Sequence, residues 1–93
     1  MSYNISIVGA TGAVGRKLLE TLYKRNFPFS NITLLASKKS EGKKIKFNED
    51  EYEVKNLENY DFKNSDIAFF SAGSEISKIY APLAEKKECY VVD

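Results

Sequence analysis

Two periods of apolar residues alternate along the chain. Tyr3-Asn4-Ile5-Ser6-Ile7-Val8 alternates and then turns apolar, the pattern of a strand entering a sheet covered on both faces. From Ala13 to Arg25 the residues Val14, Leu18, Leu19 and Leu22 recur at helical spacing, opposite Arg16, Lys17, Glu20 and Lys24, and predict an amphipathic helix. It should end near Asn26, because Pro28 cannot continue a helix and disfavours helical geometry at Phe27. Ile32-Thr33-Leu34-Leu35-Ala36 predicts a second strand, so the opening third of the chain forms one parallel crossover unit.

A polar loop, Ser37 to Lys44, comes next. Ile45-Lys46-Phe47 and Tyr52-Glu53-Val54 then alternate on either side of the acidic turn Asn48 to Glu51, which predicts a small antiparallel hairpin. Ile67-Ala68-Phe69-Phe70 is the most apolar run and reads as a central strand, followed by the small residues Ser71-Ala72-Gly73. Glu75 to Lys87 can form a helix burying Ile76, Ile79, Tyr80, Leu83 and Ala84, kinked or restarted at Pro82. Tyr90-Val91-Val92 opens a further strand that ends at Asp93, where a doubly wound sheet would place a functional loop; a longer protein is expected around it. An apolar edge there, left without a neighbour, would favour aggregation and marginal stability. The fold class is α/β: a Rossmann-like, doubly wound, mostly parallel sheet, with residues 1–93 forming one incomplete domain.

Composition narrows the chemistry. With 93 residues there is room for one small core. One cysteine and no histidine exclude an internal disulfide and a Cys/His metal site, and fit a reducing, cytoplasmic setting. No apolar run is long enough to span a membrane, and the opening residues lack the features of a signal peptide. The net charge of +1 hides an asymmetry: residues 1–46 hold nine Lys/Arg and two acids, residues 47–93 five Lys and eleven acids. The basic half points to an anionic ligand. A nucleic-acid surface is not expected, since Lys38, Lys39, Lys43, Lys44 and Lys46 run without an interleaved aromatic for stacking.

Gly9-Ala10-Thr11-Gly12-Ala13-Val14-Gly15 lies between the first strand and the first helix, the context that makes a glycine pattern a dinucleotide fingerprint. Gly9 allows the tight turn, Gly12 lets backbone approach a pyrophosphate, and Gly15 lets helix pack on sheet. The N–H groups from Thr11 to Val14 then donate to the phosphates. At the end of the second strand an acid would hold the ribose 2′-hydroxyl of NAD. Ala36-Ser37-Lys38-Lys39-Ser40 has none and offers hydroxyls and ammonium groups instead, so NADP is the expected cofactor, with Ser37, Lys39 and Ser40 on its 2′-phosphate. Ser71, Ala72 and Gly73 end a central strand at the same sheet edge and leave room for the cofactor; a plain strand-to-helix turn with Ser74 or Ser77 as N-cap is the other reading. Cys89 has no histidine to take its proton and is read as a buried structural thiol, and Tyr60 and Phe62 as packing anchors.

The glycine loop, Arg25-Asn26-Phe27-Pro28, Leu35-Ala36-Ser37-Lys38-Lys39-Ser40-Glu41-Gly42, Phe69-Phe70-Ser71-Ala72-Gly73 and Val91-Val92-Asp93 together closely resemble the aspartate-semialdehyde dehydrogenase family, in order and along the whole chain. The resemblance implies the NADP- and phosphate-dependent interconversion of L-aspartate 4-semialdehyde and L-aspartyl 4-phosphate, on the route to lysine, threonine and methionine. It also implies a homodimer or homotetramer for the full enzyme. The family's nucleophilic cysteine and its acid/base histidine lie beyond Asp93, in the catalytic and dimer-forming domain, so this chain should carry the cofactor role and no catalytic residue. Two departures stand out. Lys39 replaces the usual arginine and lacks its planar fork, which predicts weaker discrimination against NAD. Lys87-Glu88-Cys89 stands where relatives commonly have a glycine, which concerns the loop geometry. N-acetyl-glutamyl-phosphate reductase is the nearest alternative, but typically has an aromatic where Ala13-Val14 stands; a non-catalytic dinucleotide-binding module is the alternative from another class.

Overall fold

The computed structural model describes residues 3–47, 50–71 and 73–92. In chain order these form β1 (Tyr3–Val8), α1 (Ala13–Lys24), β2 (Phe29–Ala36), β3 (Lys44–Phe47), β4 (Asp50–Asn56), β5 (Ile67–Phe70), α2 (Ser74–Lys86) and β6 (Tyr90–Val92), with single 3-10 turns at Lys38–Ser40, Leu57–Asn59 and Phe62–Asn64. The strands make one sheet in the order β3-β4-β2-β1-β5-β6, parallel except for β3 at one edge. The order of the parallel strands reverses at β1, so β1 and β5 flank the crevice where such sheets bind ligands.

β1 is central because it can be buried on both faces: Ile5, Ser6, Ile7 and Val8 are all essentially inaccessible. Its neighbours are in register with it, Ile7 beside Leu34 and Phe69, Val8 beside Leu35 and Phe70. On one face Ile5, Ile7, Ile32, Leu34 and Val54 pack with Leu19 and Leu22 of α1; on the other Val8, Leu35, Ala68 and Phe70 pack with Phe62 and with Ala84 of α2. Each of the Val, Leu, Ile and Phe side chains among these contributes about 1.5–3 kcal/mol by leaving water.

Both helices stop in the same way. Phe27 N–H reaches back to Leu22 O (3.0 Å) and Asn26 N–H to Tyr23 O (3.1 Å), while Cys89 N–H reaches Ala84 O and Glu88 N–H reaches Glu85 O (both 3.0 Å). These are two Schellman closures, and each needs a left-handed residue, Asn26 (φ 53°) and Glu88 (φ 63°). The loop before β6 thus has the geometry a glycine would favour, with a glutamate in it.

Several expectations are corrected. β2 begins at Phe29, because Phe29 packs edge-on against Tyr23 and the polar Ser30-Asn31 are carried at an exposed strand entrance. The β3–β4 pair is an antiparallel hairpin, but β4 also pairs in parallel with β2 and is a full member of the main sheet. The Tyr52 and Tyr23 hydroxyls hydrogen-bond, fastening β4 to α1; the expected acidic turn at residues 48 and 49 lies outside the described residues. α2 begins at Ser74, with Gly73 as its N-cap, runs through Pro82 without a restart and ends at Lys86. It buries Ala84 and Ser77 and half-buries Ile76 and Tyr80, whereas Ile79 and Leu83 are 58% and 48% exposed. Val14 of α1, placed on the apolar face by its spacing, is 66% exposed in the first turn, while Leu19 and Leu22 further along are buried.

Candidate dinucleotide site

The glycine loop is shaped by the end of β2. Gly9 takes a left-handed φ of 86°, and the N–H groups of Gly9 and Ala10 both donate to Leu35 O (2.8 and 3.2 Å). Gly12 N–H closes the turn on Gly9 O at 3.2 Å. α1 then starts bare: its N-cap is Gly12, with no side chain to cap it, and its first turn has no acidic residue. Among the described residues, the first N–H of the helix with an acceptor in the chain is that of Arg16, on Gly12 O at 3.1 Å. The N–H groups of Ala13, Val14 and Gly15 at the positive end of the helix dipole are thus available to an anion.

Gly15 and Gly12 act differently. A Cβ on residue 15 would stand within 2.6 Å of Gly9 O and 2.8 Å of Ala10 Cα, so that position is sterically closed; one on residue 12 meets only Gly9 O at 3.6 Å. The space over Gly12, which is exposed, is open to a ligand.

Beside this loop lies a crevice of about 230 Å³, lined by Val8, Gly9 and Thr11 on one side, Ala36 and Ser37 at the end of β2, and Leu57, Glu58, Ile76 and Tyr80 opposite. It is mostly apolar, with polar groups at its rim, as expected for a site that holds a planar ring by its faces. Ser37 caps the 3-10 turn Lys38–Ser40 without using its hydroxyl, and Ser37, Lys38 and Lys39 are exposed while Ser40 is half-buried. Of the residues expected around the cofactor, Gly9, Thr11 and Ser37 therefore line one crevice; Gly12, Ala13, Val14 and Gly15 open the adjoining helix; and Lys39 and Ser40 follow Ser37 in the turn.

Ser71 plays a structural part. Its N–H and hydroxyl both donate to Val8 O (2.9 and 2.8 Å), tying the end of β5 to the end of β1. Gly73 is exposed, and a Cβ placed on it would meet nothing within 4 Å; Ala72 lies outside the described residues. Glu58, Leu57, Ile76 and Tyr80 were not foreseen; only the parallel pairing of β4, hidden behind the hairpin pattern, would have brought Leu57 and Glu58 to this edge. A wider groove of about 320 Å³ between the turns at Leu57–Asn64 and α2 includes Tyr60, Phe62 and Leu83 but no glycine-loop residue.

Cys89 is 3% exposed, and burial, with a smaller effect of Asp66, raises its thiol from 9.0 to about 11, which suits an inert thiol. Phe62 is buried against Phe70, and Tyr60 meets Phe62 edge-on while its hydroxyl bonds Ser65 Oγ, so both serve packing. Among the described residues no group of acidic, Cys or His side chains is placed to hold a metal, and no helix is long and apolar enough to cross a membrane.

Residues 4–93 match the family model described as semialdehyde dehydrogenase, NAD binding domain. Aspartate-semialdehyde dehydrogenases of Rickettsia bellii and Aquifex aeolicus are each 50% identical to the chain, over 98% and 100% of its length. The crystal structure of aspartate semialdehyde dehydrogenase II from Vibrio cholerae complexed with ASA superposes over 100% of the chain with a TM-score of 0.96 at 45% identity. The Candida albicans enzyme solved with NADP shares the fold, with a TM-score of 0.78 at 22% identity. The chain spans only 27% and 28% of the two bacterial relatives and 31% of the Vibrio chain. With its bare helix, glycine loop and reversing parallel sheet, it belongs to the family of semialdehyde dehydrogenase NAD-binding domains.

Proposed function

We propose that this chain binds NADP on behalf of an enzyme that reductively dephosphorylates L-aspartyl 4-phosphate to L-aspartate 4-semialdehyde in the cytoplasm. The observation that carries the reading is the uncapped start of α1 opening beside the apolar crevice. The free N–H groups of Ala13, Val14 and Gly15 hold the pyrophosphate, and Gly12 provides the close approach. The adenosine lies in the crevice against Leu57, Ile76 and Tyr80. Ser37, Lys39 and Ser40 surround the 2′-phosphate, with hydroxyls that donate and an ammonium that neutralises. Ser71 and Gly73, which follow β5, leave space on the other side of the loop; Ala72, expected beside them, lies outside the described residues. When bound in its reduced form, the cofactor would supply the hydride for the reduction and leave as NADP.

The chain contains no histidine, and its one thiol is buried. The covalent steps, and the binding of the acyl phosphate and inorganic phosphate, are accordingly assigned to residues outside it, in a protein that assembles as a homodimer or homotetramer. The site is tested by Ser37→Ala and Lys39→Ala, read by calorimetric titration. Each should weaken NADP by about threefold to tenfold while leaving NAD within about twofold, as for an exposed charged contact. Equal loss for both cofactors would move the 2′-phosphate away from this turn.

A further inference from the structure

We infer that Glu58 is a cofactor-selecting residue that opposes NADP and favours NAD, supplying from β4 the carboxylate that is missing at the end of β2. The inference rests on the cofactor reading above. Ala36 of β2 pairs with Asn56 of β4, so the residues that leave these two strands, Ser37 on one and Leu57-Glu58 on the other, emerge side by side. The turn that carries Glu58 is fixed: the side chain of Asn56, itself buried, accepts from Glu58 N–H at 3.0 Å, and Leu57 is buried beneath it. Glu58 and Ser37 line the same crevice. Glu58 is exposed and has no ion pair among the described residues.

A carboxylate held there acts on the ribose in two ways. It accepts a hydrogen bond from a 2′-hydroxyl, and it repels a 2′-phosphate that carries close to two negative charges. Lys39 and Glu58 therefore pull selectivity in opposite directions. Lys39 cannot answer the repulsion by a bidentate grip, since it offers a point charge on a flexible stem. The result is a protein whose preference for NADP over NAD is modest.

The test is titration of the intact protein and of Glu58→Gln and Glu58→Lys with NADP and NAD at one ionic strength. Glu58→Gln should raise the NADP/NAD affinity ratio by about fivefold, the size of one exposed charge contact, and Glu58→Lys should raise it further. In 1 M salt the differences should shrink, because the Debye length there is about 3 Å. NAD binding reports that each variant is folded. A ratio that stays constant while both affinities fall would mean that Glu58 touches the adenine or only packs, and would overturn the inference. So would a ratio that does not change at all. If the unmodified protein bound neither cofactor, the cofactor reading itself would fail, a different result from binding both with an unaltered ratio.

Discussion

A side chain on residue 15 would collide with the backbone of Gly9: the carbonyl oxygen of Gly9 lies 2.6 Å from where the Cβ would be. This one approach sets how closely α1 sits on the glycine loop and hence where its free N–H groups point.

It also separates two glycines that look equivalent in the sequence. Gly15→Ala must push backbone against backbone and should destabilise the fold by about 1–3 kcal/mol, seen as a lower urea midpoint with an unchanged slope. Gly12→Ala meets only an ordinary contact at 3.6 Å and should unfold like the parent. Its methyl group enters the space assigned to the pyrophosphate, so affinity for both dinucleotides should fall at least about tenfold. Normal binding by Gly12→Ala would contradict the placement of the phosphates.

Glu88 closes α2 in a left-handed conformation, φ 63°, that costs an L side chain about 1–2 kcal/mol. Glu88→Gly should raise unfolding free energy by about 1 kcal/mol, after the greater flexibility of glycine in the unfolded chain is set against the relief. The same change at Asn26 should bring less, because asparagine tolerates this region. Thermal melting of the two variants side by side decides the order.

Cys89 makes stability fall in alkali. Its folded thiol is raised from 9.0 to about 11, chiefly by burial, so the native state keeps a proton that the unfolded chain releases. The contribution is intact below pH 9 and is lost as the pH climbs from 9 to 11, to the extent of about 3 kcal/mol. Cys89→Ala should show a flatter profile across that window. In the parent protein a thiol reagent at pH 8 should react with Cys89 no faster than the chain opens. Rapid stoichiometric labelling of folded protein would contradict its burial.

The sheet and the glycine loop were legible because they depend on local patterns. β1 alternates and then turns apolar, β5 is a continuous apolar run, and the turn after β1 needs glycine where glycine stands. What was hidden depends on partners that are distant in sequence. Tyr52-Glu53-Val54 alternates equally well as half of a hairpin and as a parallel strand beside β2, and only the second places Glu58 by Ser37. Ile79 and Leu83 have helical spacing, but Ala84 and Ser77 are the residues small enough to lie against the sheet. Ser71 reads as a cofactor neighbour by its position, whereas its hydroxyl is engaged with Val8 O.

Whether this domain holds NADP through the turn Ser37–Ser40 is read most directly by calorimetric titration of the protein with NADP and NAD at fixed ionic strength. Both should bind, NADP more tightly, and Lys39→Arg should widen the margin, because the guanidinium fork grips the phosphate where an ammonium only attracts it. NAD binding as tightly as NADP, with a ratio that Lys39→Arg leaves unchanged, would contradict a 2′-phosphate held by this turn.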